Sequence, residues 1–128
     1  MVSKSRANRI AERIQEEISE MLIFDIKDPR VANAYITDVT VDRELAFADI
    51  YIFSSSGSGV AEDVVSGFRH ASGYLRSELA SRIDLRTFPQ LRFHWDPTPE
   101  RADHIEKLLD SISYNDQDGS EDGIAEDA

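Results

Sequence analysis

The spacing of apolar residues in this chain changes from three or four residues to two, and then back again. Residues 6–24 carry apolar side chains at helical spacing, which places them on one stripe of a helix. Residues 35–42 and 45–53 alternate with a period of two instead, as strands do. The few polar residues between these two runs leave room only for a tight hairpin. The pattern therefore predicts a helix followed by a strand hairpin.

The second half of the chain repeats this change of period. Helical spacing runs through residues 60–83, and Gly73 interrupts it, so we expect a kink or a break between two shorter helices. Residues 91–95 alternate again and predict a third strand, and residues 98–112 predict a short closing helix. Three strands cannot cover both of their faces with this many helices. We therefore predict an α+β fold with the helices on one face of the sheet.

The composition excludes several classes of protein. The 128-residue chain has no cysteine, which excludes disulfide scaffolds, thiol nucleophiles and cysteine-ligated metal sites. No apolar run approaches the ~20 residues of a membrane helix, and the first residues lack the apolar core of a signal peptide. The three histidines are not at ligand spacing. We therefore expect a cytoplasmic, monomeric protein without membrane contact, metal, cofactor or enzymatic activity.

The net charge of −11 argues against a polyanionic partner until its distribution is considered. Residues 113–128 hold six acidic residues and no basic one, and we predict that they form a disordered tail. Residues 1–112, the predicted domain, are only mildly acidic, and eleven of the chain's 14 basic residues are arginines. Arginine is suited to planar, bidentate contact with phosphate. Clustering of these arginines, rather than net charge, therefore decides the partner.

The first basic cluster lies at the start of the first helix and comprises Lys4, Arg6, Arg9 and Arg13. Cations in a first helical turn oppose the helix dipole, at a cost of a few tenths to ~1 kcal/mol each. Phosphate oxygens would be received there by the arginines and by the free N–H groups of the helix. The alternative is a solvated face with Arg13–Glu17 and Arg9–Glu16 ion pairs. The misplaced charges favour phosphate binding.

The second basic cluster surrounds the glycine interruption, where Arg69, Gly73 and Arg76 share one helix face. A glycine between two arginines gives a surface that a sugar-phosphate backbone can approach without meeting a Cβ. The alternative is that Gly73 serves only close packing or the kink. Arg82 and Arg86 extend the same strip, although they are better explained as partners of the helix dipole.

Three aromatic residues of the second strand, Phe47, Tyr51 and Phe53, alternate onto the face opposite Ala46, Ala48, Ile50 and Ile52. On an open sheet face, such rings can stack nucleotide bases. Cross-strand aromatic packing with partial burial is the more common arrangement. We favour that second interpretation.

Several short strings occur in an order that resembles the ribosome-binding factor A family. They are Arg6-Ala7-Asn8-Arg9-Ile10, Asp28-Pro29-Arg30, Ile36-Thr37-Asp38-Val39, the run from Leu45 to Tyr51, Ala71-Ser72-Gly73-Tyr74-Leu75-Arg76, Leu91 and Phe93 with Asp96, and Ile105 with Leu108-Leu109. Each string is weak alone, but together they are colinear over about residues 6–112.

The resemblance implies a KH-like fold of the second type (helix, strand, strand, kinked helix, strand) and no catalysis. It implies binding to the immature small ribosomal subunit and its rRNA, and assistance in maturing the rRNA ends. The Gly-x-x-Gly loop of ordinary KH domains is absent here. The candidate RNA-binding residues are Lys4, Arg6, Arg9, Arg13, Arg69, Ser72, Gly73, Arg76, Arg82 and Arg86. The alternative function is a protein-interaction module that engages a basic ribosomal protein through its acidic surface and tail.

Overall fold

A computed structural model describes residues 1–119 of the chain, with side chains described through residue 112. The chain divides into two compact units, the first spanning Met1–Asp96 and the second beginning at Pro97. No helix in residues 1–119 is long and apolar enough to cross a membrane. The last residues of the predicted tail, 120–128, lie outside the described residues. The predicted domain boundary at residue 112 stays a prediction.

The first unit begins with helix α1, Lys4–Phe24. The hydroxyl of Ser3 accepts a hydrogen bond from the backbone N–H of Arg6 at 3.0 Å and so caps the helix start. One stripe of α1 is buried in the core, as the helical spacing predicts, and it comprises Ala7, Ile10, Ala11, Ile14, Ile18 and Met21.

A short 3-10 turn, Pro29–Val31, follows α1 and is held by Asp28. The Asp28 carboxylate accepts hydrogen bonds from the backbone N–H of Arg30 and from its guanidinium, with 2.7 Å between Oδ2 and Nη2. These bonds lower the pKa of Asp28 to about 2. The turn places Val31 in the core.

The sheet contains strands β1 (Ala34–Val41), β2 (Phe47–Ser54) and β3 (Gln90–Trp95) in the order β1-β2-β3. The β1–β2 pair is antiparallel and the β2–β3 pair is parallel. A bulge in β1 between Ile36 and Asp38 shifts the register. The buried residues of β1, Ile36 and Val39, therefore lie three positions apart rather than two.

The predicted start of the second strand at residue 45 is wrong by two residues. Leu45 adopts a positive φ of 58°, and it belongs with Ala46 to the hairpin turn. The Asp42 carboxylate stabilises this turn by accepting hydrogen bonds from three backbone N–H groups, those of Glu44, Ala46 and Phe47. The backbone bonds, that from Phe47 above all, lower the pKa of Asp42.

The predicted interruption of the second helix is confirmed, but it falls at Ala71 rather than at Gly73. Helix α2 spans Ala61–His70 and helix α3 spans Ser72–Arg82. Ala71 between them has φ −86° and ψ 0°, outside the helical region. Gly73 lies in the first turn of α3.

The three helices of the first unit pack on one face of the sheet, as predicted. Phe68 of α2 contacts Phe93 of β3, with 5.5 Å between ring centroids. Leu75 and Leu79 of α3 are fully buried in the same core. The other face of the sheet carries Phe47, whose side chain is 40% exposed.

The second unit contains helix α4, Thr98–Gly119. It therefore continues past residue 112, where the predicted closing helix ends. Its apolar residues are exposed by 52–57%, and they are Ile105, Leu108, Leu109 and Ile112.

Candidate nucleic-acid interface

A groove runs along the first unit between the α2–α3 break and strand β3. It consists of two adjoining cavities of about 450 and 400 Å³ that share Arg69, Phe93 and His94 in their walls. Ser72, Leu91 and Arg92 complete the second cavity. β3 is an outer strand of the sheet, and the outer edge of such a strand presents backbone N–H and C=O groups to which a ligand can bond.

Gly73 follows the groove residue Ser72 in the chain and gives helix α3 an open surface. A Cβ built on Gly73 would meet no atom within 4 Å, whereas one on Gly67 would lie 2.9 Å from Cγ1 of Val31. Close packing therefore explains Gly67 and not Gly73. This geometry favours the interpretation that Gly73 permits the approach of a ligand backbone.

The side chains of Arg69 and Arg86 are exposed, and neither side chain forms a hydrogen bond or ion pair within residues 1–112. Both guanidinium groups are therefore available to phosphate oxygens. Arg69 and Ser72 lie together in the groove wall, as the second basic cluster predicts.

Arg76 belongs to the same cluster, but its guanidinium is engaged inside the protein. Its Nη2 donates to the carbonyl oxygen of Phe88 at 2.6 Å, and its Nε donates to that of Pro89 at 3.1 Å. These bonds fix the backbone just before β3, which forms one wall of the groove. Arg76 therefore holds this wall of the groove in position.

Arg82 is also engaged, because it lies within ion-pair distance of acidic residues on α1, α3 and the residue after α1. The shortest contacts join Arg82 to Glu17 at 3.0 Å and to Glu78 at 3.3 Å. The hydrogen bond that Arg82 donates to Glu17 raises the pKa of Arg82. A role in tying α1 to α3 therefore explains this residue better than a role at the helix dipole alone.

The N-terminal basic cluster likewise contains both side chains without partners and side chains that are paired within the protein. Lys4 and Arg6 are exposed, and their side chains form no hydrogen bond or ion pair within the described side chains. Of the two ion pairs of the solvated-face alternative, the Arg13–Glu17 pair is present, with 3.0 Å between Nε and Oε2. Arg9 instead donates to the Ser5 hydroxyl at 3.1 Å.

The hairpin turn brings a basic residue to this cluster that sequence reasoning missed. The backbone N–H of Val2 donates to the carbonyl oxygen of Arg43 at 2.8 Å, and Arg43 Nε donates to the Val2 carbonyl at 3.0 Å. Arg43 therefore lies beside the start of α1, because its partner Val2 is two positions before Lys4 in the chain. No sequence pattern signals this pairing, because it joins segments 41 residues apart.

The aromatic residues of β2 make the cross-strand contacts that we favoured. Phe53 is buried and lies edge-on to Tyr35 of β1, with 5.8 Å between centroids. Tyr51 stacks on His94 of β3 at 5.1 Å. Phe47, however, stays 40% exposed, with the Arg92 guanidinium 4.0 Å from its ring centroid.

Acidic and histidine side chains of the described residues do not assemble into a metal site. No group of three or more such residues with suitable geometry occurs among the described residues. A close carboxylate–histidine contact joins Asp49 Oδ1 and His94 Nε2 at 2.7 Å. Arg92 donates to the same carboxylate and, with His94, lowers the pKa of Asp49.

Solved structures of known proteins share this architecture. The chain aligns with the crystal structure of ribosome-binding factor A from Thermus thermophilus at a TM-score of 0.63 and 18% identity, covering 73% of this chain and 94% of that one. It aligns at a TM-score of 0.59 and 18% identity with a T. thermophilus ribosome-binding factor A model fitted into the cryo-EM map of a 30S complex, covering 71% and 96% of the two chains.

Sequence comparison identifies the family. The chain is 46% identical over 119 residues to ribosome-binding factor A of Alcanivorax borkumensis, covering 89% of this chain and 84% of the relative. It is 35% identical over 112 residues to that of Aromatoleum aromaticum, covering 88% of each. A sequence model of ribosome-binding factor A matches residues 6–109. This chain therefore belongs to the ribosome-binding factor A family.

Proposed function

We propose that this protein binds the immature small ribosomal subunit through its rRNA, and assists late maturation and rRNA end processing in the cytoplasm without catalysis. The observation that carries this proposal is the groove between the α2–α3 break and β3, which Arg69 and Ser72 line and next to which the open Gly73 follows Ser72 in the chain. A groove that combines the outer edge of β3 with the unpaired side chain of Arg69 suits a sugar-phosphate backbone. The description of the T. thermophilus relative as bound to 30S gives independent support.

The ten candidate residues take two roles in this proposal. Those with free side chains, Lys4, Arg6, Arg69 and Arg86, contact phosphates, together with Arg9, Ser72 and the Gly73 surface. Those with internal partners, Arg13, Arg76 and Arg82, hold the helices and β3 in position. The protein then acts by occupancy, since it binds one rRNA conformation more tightly than another and so shifts their populations.

The test replaces Lys4, Arg6 and Arg9 by glutamate and measures cosedimentation with small ribosomal subunits. Lys4 and Arg6 lie in the first turn of α1, where acidic residues favour the helix dipole, so the triple variant is expected to stay folded while losing association. Arg13 is left unchanged because Arg13→Glu would place a carboxylate against Glu17. The matched control is Glu12→Gln, an exposed change on the same helix that alters charge by one unit.

Salt-sensitive binding of the wild type to small subunits alone, lost in the folded triple variant, supports the proposal. Equal cosedimentation of wild type and triple variant contradicts the role of the N-terminal cluster. Binding of the wild type to neither subunit contradicts the proposed function as a whole.

A further inference from the structure

Planar side chains cluster on the sheet face opposite the helices. Phe47 and Tyr51 lie two positions on either side of Asp49 in β2, and Arg92 and His94 lie beside them on β3, because Asp49 pairs with Arg92 and Tyr51 with His94. The Arg92 guanidinium lies over the Phe47 ring, and His94 stacks on Tyr51 with 30° between ring planes. These four residues are called the platform below.

A single carboxylate fixes the orientation of the platform. Asp49 accepts bonds from Arg92 Nε at 2.8 Å and from Nη2 at 3.0 Å, and lies 2.7 Å from His94 Nε2. The Asp49 side chain is only 20% exposed, whereas those of Arg92 and His94 are 50% and 41% exposed. The carboxylate is therefore less exposed than the two planar groups, and its hydrogen bonds hold them in place before any ligand arrives, so a ligand loses little free energy in ordering them.

The platform continues directly into the groove. Arg92 and His94 line the second cavity together with Arg69 and Ser72. A strand whose phosphates contact Arg69 thus has its bases within reach of Arg92 and His94. Because Asp49 balances the charge of Arg92, the platform attracts flat aromatic groups more than further phosphates.

We infer that the platform stacks unpaired bases of single-stranded RNA whose backbone lies in the groove. This inference rests on the proposed function and adds to it the class of RNA, which is unpaired rather than duplex. Every base offers a π-face to an arginine or aromatic side chain, so the contact requires no particular sequence. A protein partner on the same face would instead be insensitive to the bases of RNA.

The test compares two labelled oligomers by fluorescence anisotropy, oligouridine of about 12 nucleotides and the abasic ribose-phosphate chain of the same length. Both carry the same phosphates, so only base contacts separate them. The wild type is expected to bind oligouridine about tenfold more tightly than the abasic chain. Phe47→Leu and the double variant Phe47→Leu/Tyr51→Leu are expected to lose that preference and keep the abasic affinity.

Two controls separate stacking from folding. Tyr35→Leu removes an exposed ring from β1 on the same face, away from the groove, and is expected to keep the preference. Tyr51→Phe keeps the ring and is also expected to keep it. Phe47 is 40% exposed, so Phe47→Leu alone reports on stacking if the double variant does not fold.

Equal affinity of the wild type for the two oligomers overturns the inference. A preference that survives in the folded variants Phe47→Leu and Phe47→Leu/Tyr51→Leu also overturns it. If small subunits still cosediment with the wild type in either case, the proposed function stands. Failure to bind small subunits and both oligomers removes the proposed function along with the inference.

Discussion

Arg82 of α3 donates a hydrogen bond to Glu17 of α1, with 3.0 Å between Nη1 and Oε1. Arg13 donates to the other oxygen of the same carboxylate, and its Nη2 donates to the Arg82 carbonyl at 2.9 Å. Bonds from both arginines lower the pKa of Glu17, that from Arg13 most. Three residues from two helices thus form a closed set of contacts that ties α1 to the end of α3.

Replacing Arg82 with methionine is expected to lower the thermal unfolding midpoint by a few degrees, because Glu17 and its acidic neighbours lose their common partner. The exposed Arg86 has no hydrogen bond within the described side chains, so Arg86→Met serves as the matched control and should leave the midpoint unchanged. Differential scanning calorimetry measures both. A midpoint that falls equally in the two variants would show that the contacts of Arg82 are not the cause.

The two helical glycines are expected to respond oppositely to alanine. The new Cβ of Gly67→Ala would lie 2.9 Å from buried, stiff Val31, so we expect a loss of ~1–3 kcal/mol in the free energy of unfolding. Gly73→Ala meets open space, and helix propensity should add up to ~1 kcal/mol. Urea unfolding measures both changes.

Gly73→Ala should nevertheless weaken association with small subunits, because its Cβ would stand where the RNA backbone approaches. Unchanged association in this stable variant would show that the open surface at Gly73 is not used.

The contact between Asp28 and Arg30 makes part of the stability depend on pH. The hydrogen bonds from Arg30 lower the pKa of Asp28 from its ordinary 3.8 to about 2. A depressed acid pKa stabilises the fold above 3.8, and that contribution is lost as the pH falls toward 2. The difference in urea midpoint between wild type and Asp28→Asn should therefore be constant from pH 7 to pH 5 and shrink between pH 4 and 2. A difference in urea midpoint that persists at pH 2 would show that packing, rather than ionisation of Asp28, causes it. The exposed variant Asp84→Asn controls for the change in net charge.

The affinity for small subunits should fall steeply with salt. If Lys4, Arg6, Arg9, Arg69 and Arg86 each contact one phosphate, then ~0.7–0.9 per contact predicts a slope of about −4 in log affinity against log salt. Arg69→Ala should make the slope shallower by about one contact. A slope near zero in titrations of labelled protein would contradict phosphate contacts.

Removing residues 120–128 should leave subunit affinity equal or higher, because these residues carry four acidic side chains and no basic one and repel phosphate. A large loss of affinity on this deletion would favour the alternative, in which the acidic tail engages a basic ribosomal protein. The deletion is measured beside the full chain at the same salt concentration.

Element types followed from local periodicity, but their ends did not. The stripe in α1 and the alternation in β2 each report which side of an element faces the core, so both were predictable. The start of β2 was misplaced because the Asp42 carboxylate holds Leu45 and Ala46 in the turn. The sequence predicts the helix break at Gly73 because glycine is a local signal for an interruption. In the structure the break lies at Ala71 instead.

The amino-acid sequence by itself determined the α+β order of elements and the presence of two arginine clusters, since periodicity and composition are local properties. Tertiary structure alone decided which arginines are free. Arg13, Arg76 and Arg82 look like Lys4 and Arg69 in the sequence, yet their partners come from distant segments. Pairing across the sheet likewise brought Phe47, Asp49 and Arg92 together. Contacts between distant residues depend on how the elements pack, which no local pattern records.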